Sequence, residues 1–389
     1  MSEWKKYNMS ELIDEIAMGP FGSNIKVDCF VKKGVPVLNG SNLTGFKLSE
    51  KSFNYVTKEK AESLGRSNAK RGDIIVTHRG TLGQVSYIPD DSSYDSYVIS
   101  QSQFRFSCKK DLVFVPYLVY YFHSREGQYK LLSNACQVGV PALARPTSTF
   151  KEISVILPPI EEQKRIAGVL SSLDDKIDLL NRENVTLEAL AETLFRHYFI
   201  ENPDLTWKEG KLGEFINISS GKGLKRTDFI EGGVYPVLGA NGEIGRTNEY
   251  LVGEDERVIY TGRVGTLGKV FRLEGERAWL SDNTLVIKPK KCYNYVYFIL
   301  KQANLQDYDV GSTQPLIRQS DIVDIDIVIP QDDWIEKFEQ DVVPLFEKIK
   351  SNQHQMQTLV AQRDTLLPRL MSGEVKVDGQ LIADNHVNI

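Results

Sequence analysis

The sequence predicts an α+β protein: two globular units with small curved β-sheets, separated by two long helices that form an antiparallel coiled coil. Three observations carry this. An apolar stretch closing on proline, Ile153-Ser154-Val155-Ile156-Leu157-Pro158, opens a long helical pattern and returns as Ile325-Asp326-Ile327-Val328-Ile329-Pro330 before a second one. Upstream of each lies a matching element, Gly80-Thr81-Leu82-Gly83-Gln84-Val85 and Gly265-Thr266-Leu267-Gly268-Lys269-Val270. Both helical patterns sustain an apolar heptad seam over more than four heptads. The chain is thus two copies of a globular unit followed by a long helix.

The strands of each unit follow from short β-type runs bounded by turn residues. In the first unit they are Val35-Pro36-Val37-Leu38, Asp73-Ile74-Ile75-Val76-Thr77 and Gln103-Phe104-Arg105-Phe106. Tyr235-Pro236-Val237-Leu238, Arg257-Val258-Ile259-Tyr260-Thr261 and Thr284-Leu285-Val286-Ile287 answer them in the second. Each unit also has an aromatic-rich helix candidate, Val115 to Phe122 and Tyr293 to Leu300. Trp4-Lys5 matches Trp207-Lys208, and Asp28 matches Asp228, while the intervening loops differ in length and content. A shared frame with divergent loops suits a kept scaffold and a varied recognition surface. The expected division is 1–157, 158–202, 203–330, 331–375 and a C-terminal tail, 376–389.

The first seam runs Ile166, Leu170, Leu173, Ile177, Leu180, Asn184, Leu187, Ala191, Leu194 and Tyr198. The second runs Phe338, Val342, Leu345, Ile349, Asn352, Met356, Leu359, Arg363, Leu366 and Leu370. In an antiparallel pairing with aligned seam ends, facing positions have numbers summing to 536, so Ile166 meets Leu370 and Asn184 meets Asn352. A lone asparagine in an apolar seam needs a partner, and two facing ones can satisfy each other and fix the register. Arg363 would face Leu173, its stem packed there and its head snorkelling outward.

Composition bounds the function classes. Net charge is −5, but residues 1–157 carry 20 Lys/Arg against 15 Asp/Glu, whereas the segments 158–202 and 331–389 carry 5 against 9 and 6 against 10. Acidity is therefore concentrated in the helical segments, and the first unit is basic. No apolar run reaches membrane-spanning length. Met1-Ser2-Glu3-Trp4-Lys5-Lys6 lacks a signal-peptide core. Cys29, Cys108, Cys136 and Cys292 are scattered without a Cys-x-x-Cys pair, and the five histidines show no metal-ligand spacing. A reducing cytoplasm is the expected compartment, with no metal and no catalytic residue. There is no phosphate-binding Gly-x-x-x-x-Gly-Lys-Ser/Thr loop. Pro203-Asp204 followed by Glu209-Gly210-Lys211 imitates a nuclease constellation, but its carboxylates lie too close in sequence for separate strands.

The loops instead offer donors that read base edges and grip phosphates. The DNA-binding candidates are Lys26, Lys70, Arg71, His78, Arg79, Gln101, Gln137 and Arg145 in the first unit. In the second they are Lys222, Lys225, Arg226, Asn241, Arg246, Arg263, Asn283, Gln314 and Arg318. Arg79 and Arg263 stand out because both precede the repeated Gly-Thr-Leu-Gly turn. Arg145 and Arg318 correspond as well, each following Val-Gly and preceding the strand-to-helix proline.

Leu157-Pro158-Pro159-Ile160-Glu161-Glu162-Gln163-Lys164-Arg165-Ile166, followed by Leu173-Asp174-Asp175-Lys176-Ile177, resembles the central region of specificity subunits of type I restriction–modification systems. Leu366-Leu367-Pro368-Arg369-Leu370-Met371-Ser372-Gly373-Glu374-Val375 resembles the end of that family's distal region. The likeness covers the whole layout; it departs at Asp332-Asp333-Trp334-Ile335-Glu336, where the Glu-Glu-Gln of the first copy is lost. The resemblance implies a non-catalytic DNA-recognition subunit, each globular unit being a target-recognition domain for one half of a split double-stranded DNA sequence. The helices would set the gap and dock two modification subunits, which carry the S-adenosylmethionine chemistry, and restriction subunits would join. A seam from Ile166 to Tyr198 spans roughly 50 Å at about 1.5 Å per residue, compatible with half-sites about 34 Å apart. The competing readings are the recognition part of a fused restriction–methyltransferase, for which the chain begins too directly at Trp4, and a protein-bridging coiled-coil adaptor.

Overall fold

Two prolines start the central helix. Pro158 and Pro159 end the strand Ser154–Leu157, because proline cannot donate to a ladder and favours extended backbone before it. The helix Ile160–Arg196 follows, with Glu161 and Glu162 in a first turn where backbone N–H groups favour negative charge. It widens into a π-helical turn, His197–Glu201, before Asn202-Pro203. The distal helix, Asp332–Met371, likewise opens on acids, Asp332 and Asp333. It stops at Gly373, whose φ of +72° closes the terminus in the left-handed conformation that glycine adopts freely.

These observations come from a computed structural model, which describes residues 4–136, 139–204 and 206–377. The chain divides by contacts into two compact units, 1–179 with 355–389 and 180–354, so the division falls inside both long helices.

In the first compact unit, the head has a four-stranded antiparallel sheet in the order Ile13–Met18, Gln103–Cys108, Ile74–Thr77, Val85–Tyr87. A second sheet, ordered Asn54–Val56, Val35–Leu38, Tyr97–Ile99, Asn68–Ala69, contains one parallel pair, with Val37 opposite Val98. A two-stranded ribbon, Lys5–Asn8 with Ser154–Leu157, ties the start of the head to its end. The core gathers Phe104, Phe106, Phe122 and Phe150 with Ile166 and Leu170 of the central helix and Leu367 and Leu370 of the distal one.

The second compact unit repeats this frame. Its sheet runs Ile216–Ser220, Thr284–Pro289, Arg257–Gly262, Val270–Glu274. A three-stranded sheet, Gly242–Thr247, Tyr235–Gly239, Trp279–Leu280, again holds a parallel pair, Val237 opposite Trp279. Lys208–Lys211 pairs with Asp326–Ile329. The core joins Leu285, Ile287, Tyr295 and Phe298 to Ala191, Phe195 and Tyr198 of the central helix and to Phe338 and Val342 of the distal one.

Within each unit the two helices run antiparallel. In the second, Tyr198 lies against Phe338 with ring centroids 5.9 Å apart and donates to Asp341 at 2.6 Å. Asn352 Nδ2 donates to Asn184 Oδ1 at 2.9 Å, a pair whose numbers sum to 536, and also to Glu183 Oε2 at 3.0 Å. The exchange is one-way, because the buried Oδ1 of Asn352 accepts nothing among the described residues. In the first unit Arg363 does not snorkel outward. Its guanidinium bonds Asp174 at 2.9 Å and lies 5.2 Å over the Phe46 ring, since a carboxylate and an aromatic face within reach outcompete water.

The aromatic helices are fastened differently in the two heads. Val115–His123 opens on Phe114, whose N–H donates to buried Gln163 Oε1 at 2.9 Å. Gln163 Nε2 donates in turn to the carbonyls of Leu112 and Pro158, both at 2.9 Å. At Tyr293–Gln302, the N–H groups of Asn294 and Tyr295 donate instead to Glu339 at 2.9 and 3.1 Å. Counting from Pro158 and Pro330, the counterpart of Gln163 is Ile335, which is buried in the second core, so Glu339 supplies the cap one turn later.

Candidate nucleic-acid interface

Antiparallel neighbours bring alternate strand ends together. In the first head the strands ending at Met18 and Thr77 finish where those beginning at Val85 and Gln103 start. The loops at 19–34, 78–84 and 100–102 therefore emerge from one end of the sheet. A further loop joins them through the backbone: Gly80 N–H donates to Pro141 O at 2.8 Å, Leu143 N–H to His78 O at 2.9 Å, and Arg79 pairs with Ala142. In the second head Gly265 donates to Pro315 at 3.0 Å, Ile317 to Arg263 at 2.9 Å, and Val264 pairs with Leu316. The repeated turns match in backbone: Gly80 and Gly83 have φ of +91° and +87°, Gly265 and Gly268 +87° and +91°. Such angles are cheap only for glycine.

This backbone match corrects two sequence correspondences. Arg79 sits one residue before the turn glycine and Arg263 two, so the counterpart of Arg263 is His78 and that of Arg79 is Val264. Likewise Leu143 answers Ile317, which aligns Arg318 with Ala144 rather than with Arg145. The two arginines also differ in state. Arg145 is exposed, in left-handed backbone (φ +43°) at the start of the helix Pro146–Glu152. Arg318 is extended and doubly hydrogen-bonded to Asp321, at 2.8 and 3.1 Å, which holds that carboxyl below its usual range.

Within the first head, Lys26, His78, Arg79, Gln101 and Arg145 lie on the loops at this end. His78 Nε2 is 3.2 Å from the Gln101 carbonyl, which can only accept, so the ring donates. Burial pushes the imidazole below its usual range and keeps it neutral at pH 7. Lys70 and Arg71 are not brought together with these residues. They precede the strand Ile74–Thr77 and so sit at the opposite end of the sheet, where Arg71 bonds Ser92 O at 2.9 Å and pairs with Asp95 at 3.2 Å. Gln137 lies outside the described residues.

Within the second head, Lys222, Lys225, Arg226, Arg263, Asn283, Gln314 and Arg318 are on the equivalent loops. Lys225 precedes the turn Arg226–Asp228 as Lys26 precedes Val27–Cys29. Lys222 lies 5.8 Å over Trp279, whose Nε1 donates to the Lys222 carbonyl at 2.7 Å. Asn241, at a hairpin tip, is drawn in by Lys269 Nζ at 2.5 Å. Arg246 is farther along that hairpin, bonded to Glu243 at 3.0 Å. Asp309 accepts from Gly311 and Leu316 at 2.8 and 2.9 Å and so shapes the loop that carries Gln314; these bonds hold its carboxyl below the usual range.

Sequence reasoning missed Lys269, although it stands in the repeated turn opposite Gln84. It also missed Phe21, exposed at a Gly-Pro-Phe-Gly corner, and the two helix-seating acceptors Gln163 and Glu339. Among the described residues no cluster of His, Cys, Asp and Glu is arranged to hold a metal, and no helix is long and apolar enough to cross a membrane.

Comparison with known proteins gives one consistent answer. The profile of the type I restriction modification DNA specificity domain matches residues 1–189 and 204–340. The type I restriction enzyme MjaIX specificity subunit of Methanocaldococcus jannaschii is 28% identical over 350 residues, covering 79% of this chain and 78% of that protein. The HindI specificity subunit of Haemophilus influenzae is 22% identical over 473 residues, covering 96% and 100%. The crystal structure of the type I restriction–modification S subunit from M. genitalium shares the fold, with a TM-score of 0.57, 21% identity, and 95% and 96% of the two chains covered. With two sheet-rich heads, two long helices and a family match over most of its length, the chain belongs to the specificity subunits of type I restriction–modification systems.

Proposed function

We propose that this chain is the DNA-recognition subunit of a type I restriction–modification assembly, itself without a catalytic site. Each head reads one half of a bipartite sequence in double-stranded DNA. The paired helices set the spacing of the half-sites and dock two modification subunits, to which the S-adenosylmethionine chemistry belongs, with restriction subunits joining in the cytoplasm. The segments 1–157 and 203–330 are the two target-recognition domains, 158–202 and 331–375 the helical regions. The observation that carries the reading is the repetition of one loop-bearing sheet end in both heads, on the same backbone turn but with different side chains. A frame kept twice with its donors changed is what two different half-sites require.

The acidic helical segments suit protein partners better than phosphates, whereas the loop ends carry the exposed donors. Asn184 and Asn352 mark the register of the helix pair. The test is selection of randomised duplex DNA by the full chain together with its modification subunits, which should enrich a split sequence. Arg79→Ala should weaken recognition of one half and Arg263→Ala the other, each by about 1–3 kcal/mol if bidentate to a base. Equal loss on all sequences would assign those arginines to phosphates. Enrichment of nothing would favour a protein-bridging role.

A further inference from the structure

The loop end of the first head holds an open cleft of about 170 Å³ with no charged residue in its lining. Phe21, Ile25 and Phe30 give it apolar walls, and Asn39, Asn54 and Gln101 bring carboxamides to it. Phe21 is 81% exposed, an unusual state for a phenylalanine with an apolar cleft beside it. Asn54 and Gln101 are exposed, and neither amide makes a hydrogen bond among the described residues.

The backbone of Gln101 is fixed beside the cleft. Its carbonyl accepts from His78 Nε2 at 3.2 Å. Its side chain lies against the Cα of Gly22 so closely that a Cβ there would come within 2.2 Å of Oε1.

We infer that this cleft reads an A·T pair in the first half-site, with Gln101 on the adenine and the Phe21 wall on the thymine methyl. The inference rests on the DNA-recognition reading. A carboxamide offers one donor and one acceptor, which matches the N6 amino group and N7 of adenine in the major groove. The thymine 5-methyl is the apolar group on that groove wall, and a cleft lined by aromatic and aliphatic carbon removes it from water. Guanine presents two acceptors and is met by arginine or lysine, and phosphates call for cations. The lining has neither. The cations that the first head carries at this end, Lys26 and Arg79, are outside the cleft lining.

The test uses the full chain with modification subunits and the duplex recovered by selection. Each thymine of the first half-site is replaced in turn by deoxyuridine, which lacks the methyl, and each adenine by 7-deazaadenine, which lacks the N7 acceptor. At one pair deoxyuridine should weaken binding about fourfold and 7-deazaadenine about fivefold or more. Phe21→Ser should erase the first effect and Gln101→Ala the second. Gly22→Ala, whose Cβ would come within 2.2 Å of Gln101 Oε1 and so shift the amide, should weaken the second effect. Because Phe21 is exposed, unchanged binding to the second half-site serves as the check on folding. Indifference of the first half-site to both analogues, or a first half-site made only of G·C pairs, overturns the proposal. Failure to select any sequence would instead sink the DNA-recognition reading beneath it.

Discussion

The two heads share a backbone frame and solve its interior with opposite chemistry. In the first, buried Asp73 and Arg105 pair at 3.3 Å, and Arg105 also bonds Glu15 at 2.9 Å and Arg66 O at 2.9 Å. The strand registers put Ile74 against Phe106 and Ile259 against Ile287, so Val258 and Val286 occupy the same two places in the second head. At the loop ends both heads carry cations. The first head sets an uncharged cleft and a neutral His78 among Lys26, Arg79 and Arg145, where the second carries Lys222, Lys225, Arg226 and Arg263. The frame is thus held by main-chain pairing and by glycines in the turns, while a buried side-chain pair can change from ionic to apolar.

That contrast can be broken most forcefully at Arg105. Arg105→Ala strands the Asp73 carboxylate in the core and should cost about 3–5 kcal/mol in denaturant unfolding. Installing the second head's solution, Asp73→Val with Arg105→Val, should restore most of it. Burial already raises the Asp73 carboxyl, so protonation in the Arg105→Ala chain removes the stranded charge, and the penalty should shrink as pH falls. A cost near zero for the single variant would mean that the pair contributes nothing to the first head.

Next come the two helix-seating acceptors. Gln163→Ala and Glu339→Ala should each destabilise their own head by about 1–3 kcal/mol, with Glu339 at the upper end because a carboxylate accepts more strongly. Thermal melts of the two variants would sharpen the claim that they do the same job one turn apart. A smaller effect belongs to the register pair. Asn184→Leu leaves the Asn352 amide short of an acceptor and should cost about 1 kcal/mol. Adding Asn352→Leu should recover stability but permit slipped registers, detectable by cross-linking cysteines placed at positions summing to 536 and at offsets from it. Smallest of all, Arg226→Ala should lower the salt dependence of DNA binding by about one counterion, whereas Phe21→Ser should leave the slope unchanged.

The α+β layout, the strand cores, both aromatic helices and the seam spacing were legible because each rests on local periodicity and turn chemistry. Val35–Leu38 and Tyr235–Gly239 fall where alternating apolar runs meet turn residues, and both helices start where proline ends a strand. The pairing of Asn184 with Asn352 could be reasoned from offsets in the seams, since two heptad patterns leave few ways to align.

Which loop residues share a surface was not legible. Lys70 and Arg71 have the same composition signal as Arg79, yet a strand of four residues carries them to the far end of the sheet. The distinction between His78 and Arg79 as the counterpart of Arg263 depended on which carbonyl accepts from Leu143 and Ile317. The fate of Arg363 depended on Asp174 and Phe46, remote in sequence. Sequence by itself determined the duplicated frame, because strands, helices and glycine turns are set by residues within a few positions of one another. Only tertiary structure decided the reading surface, because antiparallel pairing and burial choose which distant loops meet and which side chains stay free to bind.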